Sequence, residues 1–353
     1  MFEKVGLKFL QTLNPELAHT IALRYLQLKI ITLASMKQKD QYPKLRTKIA
    51  GLELQNPVGL AAGFDKNAVA IKPIFDLGFG FLEVGAVTPQ SQPGNPKPRA
   101  FRIIEEKAIV NHYGFNNDGM VRVNNRLKKF AKRSIIGVNI GANKDSTDMA
   151  NDFNSVLSCC SSNVHFATIN ISSPNTKRLR DLQSKEKLQE LLETVTHTNE
   201  NSPSKIPIFV KISPDLEYKE LEHIVTLVQD YKLAGIIATN TSTEYALLRS
   251  TEGFVRGGIS GEPLFRKSTK VLAQLSTISD GQLPLIGVGG ISSGKDAFEK
   301  ICAGASAVQL YSALTFLGPK LITSILRDLN QILDERGFSH ISEAVGSQKN
   351  KYI

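Results

Sequence analysis

The chain is poor in cysteine: Cys159, Cys160 and Cys302 are the whole complement of its 353 residues. Two of the three are adjacent, a poor geometry for a disulfide, and none stands at the spacing of a metal-ligand set or redox motif. A disulfide-built secreted scaffold and a cysteine metal site are therefore excluded, and the three read as small apolar residues of a reduced, cytosolic-facing protein. Long apolar runs are missing too. No stretch approaches the roughly 20 apolar residues that cross a bilayer, and the N-terminus lacks the charged head, apolar run and small-residue cleavage site of a secretory signal. Neither a membrane span nor export is predicted. Acidic residues are scarce at the start, where residues 1–50 hold nine Lys and Arg against Glu3, Glu16 and Asp40, a net of +6 within a chain total of +10. The rest is only mildly basic, so the positive charge is a local property that nucleic acid, anionic lipid or solvent could meet.

What is present is ordinary globular composition, 41% apolar and 22% charged, long enough for one large α/β domain or two ordinary ones. Short apolar runs followed by helical patterns repeat eight times. The strands run approximately over 58–62, 81–86, 135–140, 166–171, 208–212, 235–239, 285–288 and 307–310, with amphipathic segments at 185–200, 217–231 and 294–303 among the connections. Continuously apolar strands imply burial on both faces, and eight strand-helix units imply a closed parallel (β/α)8 barrel whose chemistry sits at the C-terminal ends of its strands. Those ends carry polar residues and glycine: Lys66, Asn139, Asn170, Ser173, Lys211, Thr239 to Thr241, Gly289, Gly290, Tyr311 and Ser312. A barrel with no ligand has no need of them, since a buried polar group costs free energy unless it is satisfied.

The richest of these ends is Ile169 to Asn175, where an apolar strand runs into Ser-Ser-Pro-Asn. Pro174 bars continuation, so Asn170, Ser173 and Asn175 converge on one mouth as two amides around a hydroxyl, a set suited to a planar polar ligand. Residues 1–40 stand outside the repeat. Two helical patterns, Phe2 to Leu13 and Pro15 to Ala34, meet at Asn14-Pro15, with Asn as cap and Pro in the first turn. Apolar Leu17, Ile21, Leu28 and Ile31 share a face, which predicts a helical appendage that contacts a membrane surface rather than a plain cap on the barrel.

With these residues in place the chain resembles the class 2, quinone-dependent dihydroorotate dehydrogenases. The resemblance runs through 15–19, 59–66, 87–89 with 94–96, 99–102, 111–116, 170–176, 238–241, 257–261, 287–290 and 308–312. Each glycine motif is weak alone; their order across eight strands is specific. The resemblance implies one FMN per chain, lined by Ala62, Gly63, Phe64, Asp65, Lys66, Ala86, Asn139, Asn170, Lys211 and Thr239, with Gly261, Gly290, Tyr311 and Ser312 at its phosphate. Position 86 departs from the pattern, being alanine where relatives commonly carry a hydroxyl. Lysine at 211 suits the negative charge that hydride transfer leaves on a flavin. For dihydroorotate and orotate the resemblance implies Lys66, Asn111, His112, Tyr113, Gly114, Phe115, Asn170, Asn175, Asn240 and Thr241.

Ser173 is implied as the catalytic base, Thr176 as holder of a relay water and Phe115 as a screen from solvent. A serine is a weak base, so its own proton must leave as the substrate proton arrives. The soluble class 1 enzymes place cysteine at this position, and serine together with the appendage favours quinone as acceptor. His19 and Arg102 match the residues that meet the quinone head. The remaining expectations are a monomer held to an anionic lipid surface on the cytoplasmic face of a bacterial inner membrane, with no nucleic-acid partner. The expected divisions are 1–40 for the appendage, 41–340 for the barrel and 341–353 for a tail that frays after Gly346. The rivals are a soluble dehydrogenase with a merely structural appendage, a flavin reductase acting on transfer RNA, and a membrane-bound barrel without cofactor.

Overall fold

The computed structural model describes residues 2–28, 41–130, 134–173, 184–249 and 257–353. A closed barrel of eight parallel strands forms its centre, in the cyclic order β3 (Val58–Leu60), β4 (Phe81–Val87), β7 (Ile135–Ile140), β8 (Phe166–Asn170), β9 (Ile208–Ile212), β10 (Gly235–Ala238), β12 (Leu285–Val288) and β13 (Ala307–Leu310), which returns to β3. All eight sequence-predicted strands are present, and nearly every residue in them is buried, as helix-covered parallel strands require.

The lower half of the barrel is solid. Phe166 stands 6.2 Å from Phe81 and 5.7 Å from Phe209 between ring centroids, edge to face in both cases. Room for these rings comes from Gly59 and Gly137, where a Cβ would lie 2.4 Å from the Phe81 ring and 2.1 Å from the Phe166 ring. Each buried ring contributes roughly 1.5–3 kcal/mol of transfer free energy, so alanine at either glycine would disturb a substantial part of the core. Ile49 and Leu54 of an antiparallel hairpin, β1 (Thr47–Ile49) with β2 (Leu52–Leu54), join the same cluster and close this end.

Helices α3 (Ile71–Phe75), α4 (Met120–Leu127), α5 (Met149–Cys160), α6 (Lys185–Glu200), α7 (Tyr218–Asp230), α8 (Phe265–Ile278), α9 (Gly294–Cys302) and α11 (Leu321–Arg336), with the short α10 (Ser312–Leu317), follow the strands. Among the described residues no helix is long and apolar enough to cross a membrane. A three-stranded antiparallel sheet, in the order β11 (Gly258–Gly261), β6 (Ala108–Asn111) and β5 (Ala100–Ile103), stands outside the barrel and was not foreseen.

The appendage comprises α1 (Phe2–Thr12) and α2 (Pro15–Gln27). Asn14 caps α2 as expected, its Oδ1 accepting from the N–H groups of Glu16 and Leu17 at 3.0 and 3.3 Å. The rest of the expected second helix, through Ala34, lies outside the described residues. The tail does not come loose after Gly346: the Gly346 and Gln348 N–H groups donate to the carbonyls of Ile301 and Cys302, each at 3.0 Å, at the end of α9.

Candidate active site

A cavity of about 980 Å³ opens over the C-terminal ends of the barrel strands and continues beneath α1 and α2. At the barrel end it is lined by Lys66, Asn111, Asn139, Asn170, Ser173, Lys211, Thr239, Asn240 and Thr241, and at the helix end by His19, Arg102 and Tyr311 among apolar residues such as Leu7, Leu10 and Ala22. Ala62, Gly63, Phe64, Ala86, Tyr113, Gly114, Phe115, Gly261, Gly290 and Ser312 also face it. Residues from all eight strand ends and both appendage helices thus meet in one space.

Two expected residues do not line it. The Asp65 carboxylate is buried in its own turn, accepting from the N–H groups of Asn67, Val69 and Ala70 at 3.3, 2.9 and 2.8 Å. Burial raises its pKa against those hydrogen bonds. Its work is to fold the segment that presents Lys66. His112 is turned aside, its ring stacked on Phe101 with centroids 6.4 Å apart, and burial and the Arg99 charge lower its pKa. Asn175 and Thr176 lie outside the described residues.

Lys66 donates from Nζ to the Gly63 carbonyl at 2.7 Å and sits 4.4 Å from the centre of the Tyr113 ring. Desolvation in the cavity wall lowers its pKa to about 8, against the opposing pull of Glu16, so at neutral pH it is mostly a cation. His19 Nε2 pairs with the Phe64 carbonyl at 2.8 Å, and an acceptor there requires the proton on Nε2. Burial, aided by the Lys66 charge, lowers the His19 pKa to about 3, so the ring is neutral. The His19, Phe64 and Tyr311 rings pack together, with Phe64 5.1 Å from His19 and 5.5 Å from Tyr311.

Arg102 does two things. Its Nη1 donates to the carbonyls of Gln11 and Leu13 at 2.7 and 3.4 Å, satisfying the C-terminal end of α1. Its Nε is buried without a partner among the described residues. Lys211, on β9, is only 5% exposed and no hydrogen bond to its ammonium occurs among the described residues. A buried cation with no anion beside it is costly, which makes an acceptor ligand in the cavity the natural partner.

Three features were not read from the sequence. Glu83 on β4 and Gln309 on β13 are both fully buried and joined to the amides of the site; the signal available was an acidic residue inside an apolar strand. Ser172 bonds both Asn170 and Asn240. Asp215 accepts from Ser242 Oγ at 2.5 Å, from the Thr243 N–H at 2.8 Å and from Lys267 Nζ at 2.8 Å, and so anchors the loop that carries Asn240 and Thr241.

Residues 44–333 match the family described as dihydroorotate dehydrogenase. The chain belongs to that family. Its membership extends to the quinone-dependent branch: a dihydroorotate dehydrogenase (quinone) of Cereibacter sphaeroides is 46% identical over 100% of this chain and 99% of its own length. The mitochondrial dihydroorotate dehydrogenase (quinone) of Mus musculus is 41% identical over 95% of this chain and 87% of its own. The crystal structure of a DHODH from Eimeria tenella in complex with ferulenol superposes with a TM-score of 0.89 at 36% identity, covering 94% of this chain and 95% of that one. Dihydroorotate dehydrogenases are flavin-dependent, and the appendage falls within the full-length match to the bacterial relative.

Proposed function

We propose that the chain oxidises (S)-dihydroorotate to orotate in de novo pyrimidine biosynthesis and passes the electrons through FMN to a membrane quinone. The observation that carries this reading is the meeting of Ser173, Lys66 and a buried Lys211, whose ammonium has no hydrogen-bond partner among the described residues, in one cavity that continues under apolar helices. The residues suit FMN. Gly261 and Gly290 hold φ of +102° and +76°, and a Cβ at Gly290 would come within 2.5 Å of Phe265, so the wall there stays bare backbone, able to approach a phosphate closely. When bound, FMN supplies the hydride acceptor and the electron path to quinone.

Ser173, 6% exposed, takes the proton from the carbon beside the ring carbonyl while its own proton departs. Phe115, held at φ +53° and facing the cavity, shields that transfer from bulk water. Thr176 is assigned the relay water. Lys66 meets the substrate carboxylate, and Asn111, Asn170, Asn175, Asn240 and Thr241 meet the ring amides. Lys211, on the cavity wall, would help hold the flavin and supply a cation to offset the negative charge that hydride acceptance brings. At the other end neutral His19 and the spare Nε–H of Arg102 face the quinone head.

The appendage supplies the approach from lipid. Val5 and Phe9 are each 61% exposed, Leu17 51% and Leu28 71%, an apolar surface on a positively charged segment. Such a pair of helices lies in a membrane interface without spanning it. The reading includes a monomer on the cytoplasmic face of a bacterial inner membrane. Anaerobic addition of dihydroorotate should bleach the flavin, and quinone, but neither fumarate nor NAD, should restore its colour. A colourless protein that takes up no FMN, or recolouring by fumarate, would overturn the reading.

A further inference from the structure

The amides of the site are joined inside the barrel in a single hydrogen-bonded row that begins on a carboxylate. Glu83 Oε1 accepts from Asn139 Nδ2 at 2.6 Å, and its Oε2 accepts from Gln309 Nε2 at 2.7 Å. Asn139 Oδ1 in turn accepts from Asn170 Nδ2 at 3.0 Å. Asn170 Oδ1 accepts from Asn240 Nδ2 at 3.2 Å, and from the Oγ and the backbone N–H of Ser172, each at 3.3 Å. Asn240 Nδ2 also donates to Ser172 Oγ at 3.0 Å, while Asn240 Oδ1 accepts the Thr241 N–H at 2.8 Å.

An amide is nearly symmetric in shape but not in polarity, so something must decide which end points where. A carboxylate only accepts. Asn139 must therefore turn its NH2 toward Glu83 and its oxygen toward Asn170, which forces the same sense on Asn170 and then on Asn240. The far end is compatible with this sense: the backbone N–H groups of Ser172 and Thr241 face the oxygens of Asn170 and Asn240. The Ser172 bond, at 3.3 Å, is long and holds Asn170 only weakly by itself, so the carboxylate carries most of the decision.

We propose that Glu83 is a positioning residue that sets the donor and acceptor polarity of the ligand site without touching the ligand. After the bonds above, Asn170 keeps one N–H and a filled oxygen, whereas Asn240 has both N–H groups committed and keeps one acceptor position. Both line the cavity; Glu83 does not. The pair presents one donor and one acceptor, the complement of a ring carbonyl beside a ring N–H. The inference rests on the dihydroorotate reading and deepens it: discrimination for an amide ring in one orientation originates at a carboxylate on β4. Reversing the row would exchange the two valences and reject the same ring.

The test compares affinities of the FMN-loaded protein for orotate and for two analogues, each with one ring N–H replaced by oxygen, by titration calorimetry. A site built to accept an N–H leaves a buried oxygen unpaired against such an analogue, so the wild type should favour orotate over one of the two by roughly tenfold or more. Glu83→Met removes both acceptors and lets the amides turn, and the preference should shrink to within about threefold. Glu83→Gln should keep it, because its oxygen still accepts from Asn139 and Gln309 can turn its unpartnered Oε1 toward the new NH2. If Glu83→Met fails to hold FMN, the double variant Glu83→Gln, Gln309→Glu decides. It moves the carboxylate one link back, away from the cavity, to a buried residue that does not line it, and a carboxylate there must take the NH2 of the new Gln and leave its oxygen for Asn139. The sense of the row is preserved, so the wild-type preference is expected, and its collapse would overturn the proposal. An equal loss for all three ligands in Glu83→Met, with the preference intact, would reduce Glu83 to a structural residue. Failure of the wild type to bind orotate would overturn the dihydroorotate reading itself, and this inference with it.

Discussion

Arg99 grips Glu16 with two atoms, Nη2 to Oε1 at 2.6 Å and Nε to Oε2 at 3.3 Å, across the boundary between the barrel and the second appendage helix. The guanidinium is almost fully buried, and its Nη1 also serves the carbonyls of Pro93 and Asn95 at 2.5 and 2.9 Å. With Arg102 on the end of α1, Gln11 Nε2 donating to the carbonyls of Thr315 and Phe316 at 3.2 and 3.3 Å, and His19 and Gln27 on the carbonyls of Phe64 and Val69, the appendage is bolted to the barrel at several points. A cavity running between the two therefore keeps a defined shape.

Glu16→Gln leaves the buried Arg99 charge without its anion, a change that costs on the order of 3 kcal/mol. Burial raises the Glu16 pKa, but the bonds and charge of Arg99 outweigh it and the net shift is downward. The pair therefore stabilises above the ordinary range of a glutamate and the contribution is lost as pH falls through the folded value. The variant should lower the melting temperature at neutral pH, with a smaller difference in acid. It should slow quinone reoxidation more than flavin reduction. Equal melting curves at neutral pH would show that the pair does not hold the helices.

Ser173→Ala removes the proposed base and little binding surface. Flavin reduction by dihydroorotate should slow about 10²–10⁴-fold, with orotate affinity nearly unchanged, as read by anaerobic stopped flow and a binding titration. Reduction at the wild-type rate would dismiss Ser173 as the base.

Asp215 makes a pH dependence that can be measured apart from catalysis. Burial would raise its carboxyl, but hydrogen bonds from Lys267, Ser242 and Thr243 hold it at about 2, below the usual 3.8. The stabilisation is present above the unfolded value and disappears as pH falls through the folded one. Asp215→Asn should therefore be less stable than wild type near pH 6, with the gap closing toward about pH 2. It should also weaken orotate binding through the Asn240 loop. A gap that stays constant with pH would contradict the assignment.

Phe9→Glu with Leu17→Glu places two charges on the exposed apolar surface of the appendage. Sedimentation with anionic vesicles should fall severalfold, while the flavin half-reaction stays as it was. For the unmodified protein, salt should release only part of the bound fraction, since it screens the lysines and leaves apolar insertion intact. Full release by salt alone would show that insertion contributes little.

The barrel was legible because its strands are continuous apolar runs ending in polar residues, a pattern that needs no knowledge of partners. The β1–β2 hairpin was not, since two three-residue strands carry too short a pattern. The β5–β6–β11 sheet pairs Asn111 with Gly258, a juxtaposition that no local period announces. At the site, contiguous motifs led to Lys66 and Tyr113 and brought Asp65 and His112 along with them. Only the hydrogen bonds at the 65–70 turn and the Phe101 stack separate those that face the cavity from those that do not. Glu83 escaped notice because its meaning lies in positions 139 and 309, far away in the chain.

The Phe81, Phe166 and Phe209 rings divide the barrel in another sense. Below them a substitution is judged by volume alone; above them it is judged by what a ligand will tolerate. β7 crosses that frontier within six residues, since Gly137 must stay small for the Phe166 ring while Asn139, two positions on, answers to Glu83. Efforts to redirect such an enzyme toward another substrate therefore have a natural stopping depth, and a library that varies the strands should end at the glycines.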